Sequence, residues 1–247
     1  MEQLEEAIYD MTIEEKEMAA AAKAGQFLSL YLDDESRLLP RPISICGIDK
    51  EAGTIRMVFR IAGEGTRQIS CLKAGDTIEV LGPLGNGFFD TEDRVSMVIG
   101  GGIGIPPMLG LAKKLHAEGK KVIAVLGYRD ARTFLAEEFE SVAEVVIATE
   151  DGSVGVKGNV IDAIKTKNLT ADTIYSCGPT PMLRGVKAFA ESAGISAQIS
   201  LEEKMACGIG ACLACVCKSK EKDHHSNVNN KRICKDGPVF WAQEVEL

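Results

Sequence analysis

Residues 95–107 read Val-Ser-Met-Val-Ile-Gly-Gly-Gly-Ile-Gly-Ile-Pro-Pro. The almost uninterrupted apolar run Val95–Ile99 predicts a strand buried in a parallel sheet. The glycine-rich turn Gly100–Gly104 follows it, and Pro106 predicts the first turn of a helix that extends to Glu118. A turn in this position directs backbone N–H groups at a phosphate, although it lacks the Gly-x-Gly-x-x-Gly spacing of a Rossmann fingerprint.

The same strand–turn–helix order continues toward the C-terminus. The apolar periodicity predicts strands over Val122–Leu126, Val145–Ala148 and Thr173–Ser176, and helices over Val160–Ile164 and Thr180–Ser192. This alternation is typical of a doubly wound parallel sheet, which we assign to residues 93–199. A second turn, Cys177-Gly178-Pro179, is expected to face the first turn across a ligand-binding crevice. Each turn by itself is equally compatible with a plain strand–helix connection.

The N-terminal part of the chain has a different rhythm. Residues 1–92 alternate short apolar stretches with Gly, Pro and Asp turns, and this spacing predicts an antiparallel β-barrel. The predicted strands are Ala7–Ile13, Gln26–Leu32, Ile43–Ile48, Thr54–Ile61 and Thr77–Leu81. An Ala-rich stretch, Glu14–Ala24, predicts a short helix between two of these strands.

Two stretches of the predicted barrel carry residue types suited to a flavin nucleotide. Arg41-Pro42-Ile43-Ser44 offers a guanidinium for a phosphate or the flavin ring, a fixed φ, and a hydroxyl for a ring nitrogen. Gly63-Glu64-Gly65-Thr66 forms a turn whose backbone N–H groups suit a pyrophosphate. Neither stretch is specific alone, because an Arg–Pro pair at a strand edge and a Gly turn before a helix are both common structural features.

Five of the eight cysteines lie in the C-terminal segment, residues 200–247. The spacing Cys207-x4-Cys212-x2-Cys215, with Cys234 further on, is that of plant-type ferredoxins, which hold a [2Fe–2S] cluster on four thiolates. Structural zinc favours two Cys-x2-Cys pairs, and this segment has one. A zinc site and a chance group of buried thiols are the alternatives. Cys217 competes with Cys215 for the third position and is interpreted as a packed thiol.

Composition limits the partners and the location of the protein. The net charge is −8, so the chain lacks the basic surface that binding to nucleic acid requires. No apolar run reaches the ~18–20 residues of a membrane span. Residues 1–6 are acidic, unlike the basic start of a secretory signal, so we expect a cytoplasmic protein. The polar stretch Lys218–Asn230 predicts an exposed excursion.

These motifs, in this order, resemble the ferredoxin–NADP reductase superfamily and, within it, the electron-transfer subunits of NAD-dependent dihydroorotate dehydrogenases. The likeness covers the chain from about Ala7 to Leu247. It rests on Arg41–Ser44, Gly82–Phe88, Gly100–Pro107, Cys177–Met182, Met205–Cys215 and Cys234–Phe240. The last two stretches are the most specific, since few flavin reductases carry a C-terminal cluster segment of this form. Relative to the family the chain begins late, so we expect the first barrel strand to be missing.

The resemblance implies a set of cofactor sites. FAD is expected at Arg41, Pro42, Ile43, Ser44, Val58, Phe59, Arg60, Gly65 and Thr66. The nicotinamide nucleotide, NAD, is expected at Gly101, Gly102, Ile103, Gly104, Cys177, Gly178 and Pro179. The [2Fe–2S] cluster is expected on Cys207, Cys212, Cys215 and Cys234. No catalytic residue for dihydroorotate is expected in this chain.

The resemblance also implies a partner and an electron route. The partner is an FMN-containing dihydroorotate dehydrogenase catalytic subunit, in a heterotetramer of two chains of each kind. Electrons leave its FMN singly, pass through the cluster to FAD, and reach NAD+ as a hydride during de novo synthesis of UMP. A flavin is needed because the cluster carries one electron and a nicotinamide takes two. The alternatives are a reductase arm for another redox partner and a regulatory protein that uses the cluster as a redox switch.

The residues themselves leave the choice between NAD and NADP open. Tyr128-Arg129-Asp130 follows the second strand of the α/β segment, where a 2′-phosphate would be read. Arg129 would attract that phosphate and Asp130 would repel it. The expectation of NAD therefore comes from the resemblance.

Overall fold

The computed structural model describes residues 1–34, 38–222 and 227–247. The N-terminal strands are β1 (Glu2–Glu5), β2 (Ile8–Glu14), β3 (Phe27–Tyr31), β4 (Arg41–Asp49), β5 (Thr54–Arg60) and β6 (Glu79–Leu84). They form one antiparallel, barrel-like sheet in the order β1-β2-β5-β4-β3-β6. The predicted antiparallel barrel is confirmed, and strand β1 is present at the start of the chain.

Inward-facing apolar residues form the core of this sheet. Leu28, Leu30, Met57 and Phe59 are all at most 1% exposed and belong to one apolar cluster. Two helices accompany the sheet, α1 (Lys16–Ala21) and α2 (Glu64–Ser70). Helix α1 is shorter than predicted. The strand β2 includes Glu14, and the carboxylate of Glu15 caps the helix by accepting the Met18 N–H.

The second half of the chain alternates strands and helices. The strands are β7 (Val95–Gly101), β8 (Lys121–Tyr128), β9 (Glu144–Thr149), β10 (Val156–Lys157), β11 (Thr173–Cys177), β12 (Ser196–Ser200), β13 (Val216–Lys218), β14 (Asn230–Arg232) and β15 (Val239–Trp241). The helices are α3 (Ile105–Ala117), α4 (Ala136–Glu140), α5 (Val160–Thr166), α6 (Thr180–Ala193) and α7 (Ile233–Asp236). A 3₁₀ turn, Gly102–Gly104, joins β7 to α3.

Helices cover both faces of the seven-stranded sheet, whose order is β10-β9-β8-β7-β11-β12-β15. Successive residues of β7 point to opposite faces. Met97 and Ile99 pack with helices α5 and α6, whereas Val98 packs with α3 and α4. Strands β7 to β12 run parallel to their neighbours. The predicted doubly wound parallel sheet is therefore confirmed.

The C-terminal segment is joined to this sheet. Its strand β15 pairs antiparallel with β12, with Gln198 opposite Trp241. The Phe89 ring stacks on Trp241 at 6.0 Å between ring centroids, and the Gln198 side chain bonds both the N–H and the carbonyl of Phe89. The sequence pattern alone did not indicate this pairing. The ends of the predicted excursion Lys218–Asn230 lie in the hairpin of β13 and β14, and residues 223–226 lie outside the described residues.

Among the residues that the structure describes, none belongs to a helix long and apolar enough to cross a membrane.

Candidate cofactor sites

The two predicted nucleotide turns meet at the carboxyl edge of the parallel sheet. Strands β7 and β11 are neighbours, with Cys177 opposite Gly100. The strand order reverses between them, and such a switch point is where α/β folds bind ligands. The turns are so close that a Cβ on Gly104 would lie 2.3 Å from the Cys177 carbonyl oxygen. Glycine at position 104 is therefore a requirement of packing.

These turns line an open cleft of about 1060 Å³. The predicted nucleotide residues along it are Gly101, Gly102, Ile103, Gly104, Gly178 and Pro179. Arg60, at the end of β5, lines the same cleft, so the barrel contributes to its wall. The Cys177 thiol, in contrast, is fully buried, and burial raises its pKa above the ordinary value of 9.0. This thiol stays protonated and away from the cleft.

The far end of the cleft is formed where β8 and β9 end. Arg129 and Glu150 line it, and the Glu150 N–H donates to the Tyr128 carbonyl at 3.2 Å. Asp130 binds Arg132 instead, with 2.7 Å between Oδ2 and Nη2, and this hydrogen bond lowers its pKa to about 2. Glu150 is thus the carboxylate that lines the cleft where β8 and β9 end, and the sequence analysis did not single it out. Its place at the end of a predicted strand was the available signal.

The predicted flavin residues lie where two barrel strands separate. Strands β4 and β5 pair from Asp49↔Thr54 to Ile45↔Met57. Beyond that point Arg41–Ser44 pairs with β3, and Val58–Arg60 pairs with β2. The edges of Arg41–Ser44 and Val58–Arg60 that face each other are therefore not paired with one another. Backbone donors and acceptors along such an opening suit a planar, hydrogen-bonding ligand.

Arg41 and the first turn of α2 are brought together. A Cβ on Gly65 would lie only 1.9 Å from Arg41 Nε, so the guanidinium rests on the glycine. The Thr66 hydroxyl accepts the N–H groups of Ala62 at 2.9 Å and Gly63 at 3.2 Å, which closes the turn. The structure thus unites two stretches that are more than twenty residues apart in the sequence.

Two other predicted flavin residues have buried side chains. Phe59 is 1% exposed, belongs to the barrel core and stacks on Tyr9 at 6.1 Å. Val58 is 2% exposed and packs toward α3. Their side chains are occupied by packing, so contact with a ligand would come from their backbone. Arg60 alone in this stretch has an exposed side chain.

The four predicted cluster ligands come together as two pairs. The N–H groups of Ala211 and Cys212 donate to the Cys207 sulfur at 3.3 and 3.4 Å. The Cys234 N–H donates to the Cys215 sulfur at 3.4 Å, although the two residues are distant in sequence. A [2Fe–2S] centre takes two thiolates on each iron, and this arrangement fits it. Over residues 1–34, 38–222 and 227–247, no three His, Cys, Asp or Glu side chains converge as ligands of a single ion.

The electrostatics of the two pairs differ. Burial raises the pKa of Cys207, but the N–H donors of Cys212, Ile209 and Ala211 together outweigh it and lower the pKa to about 6. Burial, together with the neighbouring Cys215 thiol, raises the pKa of Cys234 to about 12. Thiolate formation is therefore favoured first at the exposed end of the site.

The loop that carries Cys207 and Cys212 turns tightly at two glycines. Gly208 and Gly210 have φ values of 69° and 84°, which side chains with a Cβ rarely adopt. A Cβ on Gly208 would lie 3.1 Å from both Leu84 Cδ1 and Ser29 Oγ, so this loop packs directly on β3 and β6. Cys217 lies in β13 opposite Lys231, and burial raises the pKa of its thiol to about 11. This placement supports Cys215 rather than Cys217 as the third ligand.

Comparisons with known proteins follow the order of these sites along the chain. Family models match for an oxidoreductase FAD-binding domain at residues 4–89 and an oxidoreductase NAD-binding domain at residues 98–188. A third, the iron-sulfur cluster binding domain of dihydroorotate dehydrogenase B, matches residues 202–246. A ferredoxin NADP+ reductase from Neisseria gonorrhoeae has the same fold, with a TM-score of 0.64 at 17% identity over 80% of this chain and 88% of that one. The fold and the family models define an oxidoreductase with the fold of the ferredoxin–NADP reductases and an added iron–sulfur segment.

Proteins with higher sequence identity identify the family within this class. The chain is 44% identical to the dihydroorotate dehydrogenase B (NAD(+)) electron transfer subunit of Caldanaerobacter subterraneus, over 96% of this chain and 92% of that protein. It is 47% identical to the subunit of the same name from Listeria monocytogenes, over 94% and 90%. The chain belongs to the family of dihydroorotate dehydrogenase B electron transfer subunits. A structure described as NADH-dependent reduced ferredoxin-NADP oxidoreductase is also similar, with a TM-score of 0.87 at 32% identity over 99% of this chain and 87% of that one.

Proposed function

We propose that this chain passes electrons from the FMN of a dihydroorotate dehydrogenase catalytic subunit, through a [2Fe–2S] cluster and FAD, to NAD+. The reaction serves de novo pyrimidine synthesis. When bound, the cluster supplies one-electron transfer and FAD supplies the conversion to the two-electron chemistry of a nicotinamide. The chain itself holds these groups in a fixed order and leaves the chemistry of dihydroorotate to its partner.

The geometry of the three sites supports the proposed ligands. Cys207, Cys212, Cys215 and Cys234 hold the cluster, supported by their two-and-two pairing. Arg41, Pro42, Ile43, Ser44, Val58, Phe59, Arg60, Gly65 and Thr66 hold FAD, supported by the separation of β4 and β5 and by the contact between Arg41 and Gly65. Gly101, Gly102, Ile103, Gly104, Cys177, Gly178 and Pro179 form the nucleotide site, with Cys177 contributing backbone only.

One observation carries the proposal. The cysteine loop packs on the barrel strand that pairs with the flavin stretch, because Gly208 contacts Ser29 of β3 and Ser29 lies opposite Pro42 of β4. The proposed cluster and flavin sites are therefore separated by a single strand. Electron transfer between two groups requires this kind of proximity, and a purely structural cysteine loop does not.

The surface of the cysteine loop supports a partner that docks over it. Cys212 is exposed, and Ile209 and Leu213 beside it are each 56% exposed. Exposed apolar side chains around a redox site are typical of a protein–protein contact. We place the FMN-containing catalytic subunit here, in a heterotetramer of two chains of each kind.

We assign each of the three cofactors to one part of the chain. Residues 1–92 form the FAD-binding part, 93–199 the NAD-binding part and 200–247 the cluster part. None of the eight cysteines forms a disulfide, which supports a reducing, cytoplasmic location.

The test is anaerobic reconstitution with the FMN-containing catalytic subunit, followed by dihydroorotate-dependent reduction of NAD+. We expect the reconstituted complex to reduce NAD+, and the isolated chain to oxidise NADH with artificial acceptors without oxidising dihydroorotate. Robust dihydroorotate oxidation by the isolated chain would contradict the proposal.

A second candidate function is a reductase arm that serves a different redox partner. It is favoured by the similarity to the NADH-dependent reduced ferredoxin-NADP oxidoreductase structure, whose TM-score is 0.87. The same reconstitution separates the two functions. Failure with the FMN subunit, together with NADH-dependent reduction of a ferredoxin, would favour the second.

A further inference from the structure

Strand β3 contains a buried hydroxyl without a hydrogen-bond partner. Ser29 is 0% exposed, and its Oγ has no partner in the parts of the chain that the structure describes. Ser176 is the only other buried side chain there in the same condition. Burying a hydroxyl without a partner costs about 1–3 kcal/mol, so an unsatisfied hydroxyl in the middle of a strand requires an explanation.

The direction of the side chain provides one. Leu28 and Leu30 point into the barrel core, so Ser29 between them points to the opposite face of the sheet. On that face the Ser29 hydroxyl meets Gly208, the residue after Cys207, at a distance of 3.1 Å from where a Cβ would stand. The cysteine loop, rather than solvent, covers the hydroxyl.

The strand position of Ser29 excludes two simpler partners. Its backbone is paired on both sides, with Pro42 in β4 and Leu81 in β6. None of the backbone groups of these ladders accepts the side-chain proton in the described residues. Because the hydroxyl faces the cysteine loop, a group held by that loop is within its reach.

We propose that the Ser29 hydroxyl donates a hydrogen bond to a sulfur of the cluster assembly held by the Cys207 loop, and thereby raises its reduction potential. A donor to sulfur stabilises the added electron, and hydrogen bonds of this kind are a principal means by which proteins set such potentials. The inference rests on the proposed function, because it requires a [2Fe–2S] cluster in the loop. It adds a residue outside the cysteine segment to the control of electron flow.

The test compares Ser29→Ala with Ser176→Ala in the full-length chain, purified under anaerobic conditions. EPR-monitored redox titration of the cluster is the main measurement. We expect S29A to lower the equilibrium constant for cluster reduction about tenfold, which is about 59 mV more negative for a one-electron couple. S176A removes a hydroxyl in the same condition on β11 and is expected to leave the potential unchanged.

A spectroscopic readout makes the assignment direct. After cluster reconstitution in D2O, resonance Raman bands of the Fe–S stretching modes should shift in the unsubstituted chain, and one of these shifts should be missing in S29A. A wild-type potential with an unaltered isotope pattern in S29A would overturn the inference.

Ser29→Thr keeps the hydroxyl and covers the case in which S29A assembles no cluster. A potential near that of the unsubstituted chain in S29T supports the hydrogen bond. A shift in S29T as large as in S29A would assign the effect to packing and reject the inference. Absence of any [2Fe–2S] EPR signal from the unsubstituted chain would instead reject the proposed function.

Discussion

Arg56 of β5 forms a bidentate ion pair with Glu138 of α4, with 2.8 Å from Nη1 to Oε2 and 2.7 Å from Nη2 to Oε1. The same guanidinium binds Asp10 of β2, with 2.8 Å between Nε and Oδ2. One carboxylate from a barrel strand and one from a helix of the nucleotide-binding half thus share one cation, which ties the two halves together. The Arg56 hydrogen bond lowers the pKa of Glu138 from 4.5 to about 2.

Glu138→Gln is expected to lower the free energy of unfolding by about 1 kcal/mol at pH 7, because the pair is only partly buried and screened by solvent. The folded-state pKa of Glu138 lies below its ordinary value. Its contribution is therefore fully present above about pH 4.5 and is lost as the pH falls toward 2. Urea unfolding of both proteins at a series of pH values measures this difference.

Glu140→Gln on the same helix is the matched control, since the structure shows no ion pair for Glu140 in the described residues. It should leave stability within about 0.5 kcal/mol of the unsubstituted chain at every pH. Equal effects of the two substitutions would show that the contact between Arg56 and Glu138 contributes nothing specific.

Gly65→Ala is expected to reduce FAD content strongly. The new methyl group would lie 1.9 Å from Arg41 Nε and would displace the guanidinium proposed to hold the flavin nucleotide. Gly47→Ala in the same strand as Arg41 is the control, because its Cβ finds ordinary contact at 3.5 Å from Arg56 Cβ. The flavin-to-protein absorbance ratio of the purified variants is the measurement. Full flavin content in G65A would argue against FAD at this position.

Cys212→Ser and Cys217→Ser separate the proposed ligands from their neighbour. C212S removes one thiolate of the Cys207 pair and should abolish the rhombic EPR signal seen after dithionite reduction. C217S changes a thiol of β13 that lies opposite Lys231, and should retain the signal and the iron content. The reverse result would exchange the roles of Cys217 and a proposed ligand.

Glu150→Gln is expected to weaken discrimination against NADPH by about tenfold. The Glu150 carboxylate lines the far end of the cleft, where like charge repels a 2′-phosphate. Glu144→Gln changes the same charge at the other end of β9, where Glu144 pairs with Lys121 at 3.3 Å, and should leave the ratio unaltered. The measurement is kcat/KM for NADH and NADPH with an artificial acceptor. An unchanged ratio in E150Q would assign the nucleotide choice to other residues.

Local features of the sites were predictable from the sequence because they depend on residues close together in the chain. The cysteine loop is one example, since the spacing of Cys207, Cys212 and Cys215 is itself the condition for ligation by one turn. The order of strand, turn and helix over Val95–Ala117 is another, since its apolar run and its prolines act on neighbouring residues.

Orientation and long-range contacts were decided only by the tertiary structure. Cys177 begins a predicted ligand turn, yet packing buries its thiol. Asp130 forms an ion pair with Arg132, whereas Glu150 lines the cleft. The contact of Ser29 with Gly208 joins residues far apart in the chain. A sequence pattern specifies which residues lie on one element. The direction of a side chain, and the element that it meets, depend on how the sheets and loops pack against one another.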